Sequence, residues 1–360
     1  MTSISYPKRH PVIQSDLENI VSRLGDAADT LEGKSILITG ALGLLPSYLT
    51  ETIAYLNETR FSTPCKLYGL VRRPLKPGDY NGYLLKSPGI EFIIGDARQL
   101  PPILPQLNYI VLAATKGSPR HYLDDPIGTL ELNGASLQKW LLTAVKQNCE
   151  SVLYFSSGEI YGTPDADAVP TPETYIGRTD TLSPRAVYGE GKRYGETLCM
   201  AFHRQHDLNV KIVRPFQIFG PGIKPDDGRA LPDFLYAAAR NEDIVLTSAG
   251  TAKRTFMYIA DATAAFWNIL LSGESGSAYN AGAPEPELTI LQLAEKIAGI
   301  SGGKSRVIVE GKDRQTGGAP VRTCPNIDKL CKNLNFKPEF SIDDLINRTL
   351  DWIRSVMGKN

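Results

Sequence analysis

The chain has 360 residues, of which 42% are hydrophobic, and its 39 Lys and Arg residues balance 39 Asp and Glu residues. This length allows one large domain or two modest domains. The zero net charge gives no reason to expect nucleic acid or an anionic membrane as a partner. The five Cys and four His residues show no metal-ligand spacing, so we expect no metal site and a reducing, cytoplasmic location. The longest apolar stretches stay short of about 18 residues, which predicts no transmembrane helix, and the polar N-terminus lacks the apolar core of a signal peptide.

The first predicted elements are a helix, a strand and a Gly-rich turn that suits a dinucleotide. Residues 10–32 have the pattern of an amphipathic helix, and residues 35–39 are a short apolar run that predicts a buried parallel strand. A Gly-rich turn and a helical pattern follow. Where a strand, a Gly-rich turn and a helix follow one another, the glycines let the backbone approach a pyrophosphate at the helix N-terminus. We therefore predict cofactor contacts from Gly40, Gly43, Leu44 and Leu45.

Pro46 stands at the third small position of this turn, where Gly or Ala is usual. A proline is tolerated in the first turn of a helix because its missing N–H is not needed there. We nevertheless expect it to alter the packing of the helix on the sheet.

The next strands carry further predicted cofactor contacts. Residues 67–71 form a strand that ends in Arg72 and Arg73. An acidic residue there would bind the ribose diol of NAD, whereas an arginine can meet the 2′-phosphate of NADP. We favour NAD slightly, and NADP remains open. A strand at 90–94 leads to Asp96, which we expect to touch adenine, and a strand at 109–114 places Ala113 and Ala114 against the cofactor.

Strands and helices continue to alternate, with helices predicted at 129–147 and 188–206 and strands at 151–155 and 210–213. Such alternation predicts an α/β fold with a Rossmann-type, doubly wound parallel sheet. Beyond residue 220 the pattern loosens, which indicates a smaller C-terminal substrate-binding lobe. We therefore divide the chain into a helical extension (1–32), a dinucleotide-binding domain (33–220) and a lobe (221–360) interleaved with the end of the sheet.

A candidate catalytic group lies in the middle of the chain. Tyr188 and Lys192 are four residues apart, so they share one face of a helix. The Lys192 ammonium is expected to lower the pKa of the Tyr188 phenol, and Ser157 is expected to hydrogen-bond the same substrate hydroxyl. This spacing alone is common on helices. Together with the dinucleotide turn, it indicates a site that takes a proton from an alcohol while the hydride leaves.

Residues 33–355 resemble the extended short-chain dehydrogenases/reductases of the NAD-dependent epimerase/dehydratase family, and most of all the UDP-glucuronic acid decarboxylases. The segments that carry the resemblance are 118–133, 183–193, 227–229 and 254–261. It implies that Tyr188 deprotonates the sugar C4 hydroxyl while hydride passes to NAD(P). The 4-ketone then allows loss of a C5 carboxylate, and re-reduction follows. It also implies that Lys192 binds the nicotinamide ribose and that Glu159 is a base or proton relay near C5; the alternative for Glu159 is a capping carboxylate.

The resemblance further implies which residues bind a nucleotide sugar. The planar guanidinium group of arginine can donate two parallel hydrogen bonds to phosphate oxygens. Arg229, Arg254 and Arg322 are therefore expected at the diphosphate and uridine. Arg254 could also face the reacting sugar, and Arg229 could equally form a surface ion pair. The implied substrate contacts are Tyr122, Gln217, Arg229, Arg254 and Arg322.

Members of this superfamily usually form homodimers through two helices of each subunit, here those at 137–145 and 188–202. Apolar side chains of the first helix are consistent with such an interface, although they could equally face the sheet. They are Leu137, Leu141, Ala144 and Val145.

Three departures from the decarboxylases bear on the reaction. Gly158 stands where the decarboxylases have Ser and the 4,6-dehydratases have an acidic Asp, so ordinary dehydration is disfavoured. Gln217 replaces an Asn, and Lys116 and Gly117 change the sugar loop. We rank a decarboxylase first and a 4-epimerase second, because Gly158 would leave room for a ketosugar to rotate. An atypical dehydratase using Glu159 and a non-catalytic NADP(H)-binding regulator follow.

Overall fold

The computed structural model describes residues 6–115, 117–225, 228–311 and 320–358. Lys116 and Asp227, which belong to segments singled out in the sequence, lie outside these residues. In chain order the strands are β1 (Ser35–Thr39), β2 (Lys66–Val71), β3 (Ile90–Ile94), β4 (Tyr109–Leu112), β5 (Ser151–Phe155), β6 (Val210–Pro215), β7 (Ile218–Phe219), β8 (Ile244–Leu246), β9 (Lys253–Arg254), β10 (Met257–Tyr258), β11 (Ala278–Ala281), β12 (Leu288–Thr289), β13 (Val307–Val309) and β14 (Arg322–Thr323).

Helices surround these strands, and short 3₁₀ turns lie at 25–31, 82–86, 158–161 and 166–168. The α-helices are α1 (Pro11–Leu24), α2 (Leu44–Thr59), α3 (Pro119–Asp124), α4 (Pro126–Asn133), α5 (Ala135–Lys146), α6 (Ala186–His206), α7 (Ala230–Ala239), α8 (Ile259–Ser272), α9 (Ile290–Ile300), α10 (Asp328–Leu334) and α11 (Ile342–Met357). In the described part of the chain, none of them is long and apolar enough to cross a membrane.

Seven parallel strands form the central sheet, in the order β11-β6-β5-β4-β1-β2-β3. Both faces are covered, which explains the apolar runs in the sequence. In β1, Ile36 and Ile38 join the core on one face and Leu37 joins the core on the other, as the two-residue period of a strand requires. The predicted Rossmann-type α/β fold is therefore confirmed. The division into lobes remains a prediction, and β11 shows that residues beyond 220 complete the sheet.

The predicted N-terminal helix is part of this fold. It ends at Leu24, where Gly25 has a φ of 51°. The carboxylate of Asp16 is fully buried and accepts hydrogen bonds from Tyr48 of α2 (2.8 Å), Tyr258 of β10 (2.7 Å) and Arg348 of α11 (2.6 Å). A single side chain of α1 thus joins distant parts of the chain.

The helix predicted over 129–147 is in fact two helices, α4 and α5, because Gly134 interrupts it. The apolar residues of α5 that were considered for a dimer interface face the sheet instead. Leu137, Leu141 and Ala144 are buried in the core between α5 and the sheet, and Val145 packs against it. The large exposed apolar side chains of α4, α5 and α6 are Ile127, Leu130, Leu142 and Tyr194.

Candidate active site

The Gly-rich turn has the shape that a dinucleotide needs. Gly40 has a φ of 71°, and a Cβ there would lie 3.1 Å from the Ala114 Cα, so only glycine fits. Gly43 precedes α2, and its N–H donates to the Gly40 carbonyl at 2.7 Å. Because α2 begins at Leu44, its first N–H groups, from Leu44 and Leu45, have no partner within the helix and can face a phosphate. The turn therefore fits a pyrophosphate.

A threonine that the sequence analysis missed fixes the neighbouring strand end. The Thr39 hydroxyl accepts the N–H groups of Ala113 (2.9 Å) and Ala114 (3.0 Å) and donates to the Val111 carbonyl (3.3 Å). These bonds hold the two alanines beside the Gly-rich turn. A polar residue at the last position of an apolar strand was the available signal.

The remaining predicted cofactor residues follow the next strands. Arg72 is exposed after β2, and Asp96 lies after β3. Asp96 accepts hydrogen bonds from the side chain (2.7 Å) and backbone (2.9 Å) of Arg98, which lower the pKa of its carboxyl group. Arg72 also lowers that pKa by charge attraction. Both residues thus share one edge of the sheet with the Gly-rich turn, with Asp96 already paired to Arg98.

The structure brings the predicted catalytic hydroxyls together. The side chains of Ser157 and Thr115 lie beside the buried Tyr188 phenol and act to lower its pKa. Thr115 was not predicted, because it lies in the loop after β4 and only the fold brings it to α6. Each of the three hydroxyls can donate or accept a hydrogen bond, so together they suit a single substrate oxygen.

The expected pKa effect of Lys192 on Tyr188 is not observed. Burial is the largest influence on Tyr188 and raises its pKa to about 12, against the lowering effects of its hydroxyl partners and Arg229. The Lys192 ammonium donates to the Phe155 carbonyl (2.6 Å) and lies 5.9 Å from the centre of the Tyr188 ring. Burial lowers the pKa of Lys192 to about 7. The correction has a physical cause: both groups are desolvated, and the ammonium is held at a backbone carbonyl.

Glu159 stands two residues after Ser157, the predicted catalytic serine. Its N–H donates to the Ser157 hydroxyl (3.1 Å), and its carboxylate pairs with Arg185 (3.3 Å) at the start of α6. The space beside Gly158 is filled: a Cβ there would lie 3.1 Å from three ring atoms of Phe216. The room expected at Gly158 for a rotating sugar is therefore occupied by an aromatic ring.

Two of the predicted substrate residues, Tyr122 and Arg229, lie near Tyr188. Tyr122 is buried and stacks on Tyr188, with ring centres 5.2 Å apart. Arg229 lies over the Phe219 ring at 4.6 Å and acts on the pKa of Tyr188. Tyr122 is therefore in contact with Tyr188, and Arg229 lies within electrostatic range of it.

Arg254 is held by the carbonyls of Lys253 (2.7 Å) and Pro320 (2.6 Å), and the charge of Glu159 reaches it. Arg322 instead makes a bidentate ion pair with Glu287 (2.6 and 2.5 Å). The Gln217 carbonyl accepts the N–H of Met257 (2.9 Å), which joins β7 to β10. Arg254 is thus within electrostatic range of Glu159, while the described contacts of Arg322 and Gln217 are made elsewhere.

A partly buried polar network joins the loop after β5 to α6 and β6. Glu196 accepts from the Ser156 hydroxyl (2.5 Å) and from two nitrogens of Arg214 (2.9 and 2.7 Å). Arg214 also donates to the Tyr161 hydroxyl at 2.7 Å. Because Glu196 lies four residues after Lys192, it faces the same side of α6, a spacing that the sequence analysis overlooked.

Comparison with known proteins defines the class. The sequence pattern of the NAD dependent epimerase/dehydratase family matches residues 36–282, so the chain belongs to that family. Its predicted nicotinamide dinucleotide cofactor, NAD(P), is thereby confirmed. UDP-glucuronic acid decarboxylase 1 of Xenopus tropicalis is 29% identical over 323 residues, covering 89% of this chain and 72% of that protein. UDP-glucuronic acid decarboxylase 5 of Arabidopsis thaliana is 28% identical over 308 residues, covering 85% of each chain.

Solved structures agree on the fold. An epimerase from Methanothermobacter thermautotrophicus superposes with a TM-score of 0.78 at 23% identity, covering 97% of this chain and 98% of that one. A UDP-glucuronic acid 4-epimerase from Bacillus cereus, in complex with NAD, gives a TM-score of 0.72 at 22% identity, covering 89% of this chain and 99% of that one.

Proposed function

We propose that this protein is a nucleotide-sugar enzyme that oxidises the sugar C4 hydroxyl and then removes a C5 carboxylate as carbon dioxide, as a UDP-glucuronic acid decarboxylase does. The observation that carries this proposal is the set of Tyr188, Ser157 and Thr115 hydroxyls beside Glu159 and two arginines, Arg185 and Arg254. The decarboxylase relatives, which align along most of the chain, support it.

Each residue has a defined task in this proposal. Ser157 and Thr115 hold the C4 oxygen, and Tyr188 takes its proton. Lys192, whose ammonium lies 5.9 Å from the centre of the Tyr188 ring, would bind the nicotinamide ribose of the cofactor. The Gly-rich turn at Gly40 and Gly43 would hold NAD(P), which would supply the hydride acceptor for C4 and the hydride donor for the later reduction. Glu159, beside Ser157, serves proton transfer at C5 after the carboxylate has left.

We further propose that residues of the C-terminal part of the chain bind the nucleotide sugar. Arg229 and Arg254 supply donors that suit phosphate and carboxylate oxygens, and Tyr122 covers the catalytic phenol. We therefore propose residues 221–360 as the main nucleotide-sugar lobe, with a UDP-linked substrate. For Arg322 to bind a diphosphate, it would have to leave Glu287.

The test is incubation with UDP-glucuronic acid and NAD in deuterated water, followed by mass spectrometry and NMR of the product. A UDP-pentose that has lost carbon dioxide and carries deuterium at C5 is expected. A product of unchanged mass without deuterium at C5 would instead establish 4-epimerisation, and loss of water would establish a dehydratase. Tyr188→Phe is the matched control, since it removes one hydroxyl and should abolish every one of these products. Turnover that survives Tyr188→Phe would contradict the assigned role of this residue.

A further inference from the structure

Arg185 is a charged residue of the site that the reaction scheme above leaves without a task. It directly precedes α6 and lies three positions before Tyr188. Its Nη2 is 3.3 Å from the Glu159 Oε2, and both side chains are partly exposed. Sequence patterns gave no sign of this pair, because the partners are 26 residues apart.

The charges around Arg185 leave an excess of positive charge. Arg185 lowers the pKa of both Tyr122 and Arg254, while Glu159 raises both. Arg185 and Glu159 therefore lie within electrostatic range of both Tyr122 and Arg254. Tyr122 in turn stacks on Tyr188. Two guanidinium groups face one carboxylate there. A second carboxylate, brought by the substrate, would balance the charges in a partly desolvated site.

The pair with Glu159 is weak enough to be exchanged. Charge-assisted N–H···O bonds are usually about 2.7–2.9 Å long, and the Arg185–Glu159 contact is a single one of 3.3 Å. Arg214, by comparison, holds Glu196 with two nitrogens at 2.9 and 2.7 Å. A partly exposed, single-contact pair contributes little stability, so Arg185 can change partners at small cost.

We propose that Arg185 recognises the C5 carboxylate of the substrate by exchanging Glu159 for it. This inference rests on the proposed function, because it requires a sugar in front of Tyr188. The incoming carboxylate takes the guanidinium, and Glu159 is released beside Ser157 for proton transfer at C5. A neutral sugar leaves the Arg185–Glu159 pair closed. Arg185 thereby selects uronic acid nucleotides and couples their binding to the release of Glu159.

Binding measurements test this exchange without relying on turnover. We would titrate UDP-glucuronic acid and UDP-glucose by calorimetry into NAD-loaded protein carrying Tyr188→Phe, which stops the reaction. Adding Arg185→Met should weaken the binding of UDP-glucuronic acid by roughly 10- to 100-fold, which is the loss expected for a charge-assisted hydrogen bond. The affinity for UDP-glucose should stay unchanged. Arg185→Lys should retain part of the preference. Glu159→Gln should strengthen UDP-glucuronic acid binding, because the competing carboxylate is gone.

The outcomes separate this inference from the proposed function. Arg204→Met is the control, since Arg204 is exposed in the last turn of the same helix. A parent protein that does not prefer UDP-glucuronic acid over UDP-glucose overturns the proposed substrate class and the inference together. A preference that survives Arg185→Met, or an equal loss for both ligands in a folded variant, overturns the inference alone. An unchanged affinity in Glu159→Gln excludes the exchange.

Discussion

The contact between Gly158 and Phe216 predicts the cost of adding a side chain at Gly158. A Cβ on Gly158 would lie 3.1 Å from Cγ, Cδ2 and Cε2 of the ring, whereas carbon atoms in contact are normally about 3.5–4.0 Å apart. Gly158 is not among the residues with a left-handed backbone. The penalty for Gly158→Ala therefore comes from the ring.

Overpacking of this kind costs about 1–3 kcal/mol. Because Phe216 is half-buried and its ring can shift, we expect Gly158→Ala to lower the free energy of unfolding by about 1–2 kcal/mol. Gly78→Ala is the matched control, since a Cβ there meets nothing within 4 Å. It shares the entropic effect of Gly→Ala on the unfolded chain. The penalty should largely vanish in a Phe216→Ala background, giving a coupling of about 1 kcal/mol between the two positions.

Urea unfolding, followed by circular dichroism at a fixed cofactor concentration, measures all four corners of this cycle. A fixed concentration is needed because any ligand of the native state adds to its apparent stability. If Gly158→Ala is as stable as Gly78→Ala, or if its penalty persists without the ring, the packing argument is wrong. Product analysis of Gly158→Ser would show whether a hydroxyl at this position changes the reaction.

Three further predictions concern stability and assembly. Burial raises the pKa of Glu51 to about 7 despite its bonds to Arg9 and Tyr83, so the folded chain holds a proton that the unfolded chain releases above its ordinary pKa. Stability should therefore fall by about 3 kcal/mol between pH 4.5 and 7 on account of this group; urea midpoints across that range should flatten in Glu51→Gln, and an unchanged slope would contradict this. Asp16→Asn leaves the Arg348 guanidinium without its buried counter-charge and should cost roughly 3–5 kcal/mol of unfolding free energy, against almost nothing for the exposed Asp351→Asn. The predicted homodimer should appear by light scattering at micromolar concentration and dissociate in Leu142→Glu, since Leu142 is exposed on α5; a monomeric parent protein would refute it.

The sequence allowed the sheet and helix α6, which carries Tyr188 and Lys192, to be predicted because both are encoded locally. Buried parallel strands are continuous apolar runs, and the spacing of Tyr188 and Lys192 places them on one helix face. The break at Gly134 was missed because one glycine inside a helical pattern is often tolerated. Periodicity also could not decide which apolar face of α5 meets the sheet.

The missed parts of the site depend on contacts between distant residues. Thr115 reaches Tyr188 only after β4 and α6 are assembled on the sheet. The pairing of Glu159 with Arg185 depends on how the loop after β5 meets the start of α6. The pKa of Tyr188 was predicted in the wrong direction because spacing reports neighbours along a helix, whereas burial depends on everything packed around it.

The buried carboxylate of Asp16 has a consequence for synthesis of the chain. Its partner Arg348 is translated 332 residues later, which at typical elongation rates is a delay of roughly 20–60 s. During that time α1 can dock on α2, but the charge of Asp16 lacks its guanidinium. The last helix therefore completes the N-terminal packing, and a nascent chain stalled before α11 should remain sensitive to proteases in α1.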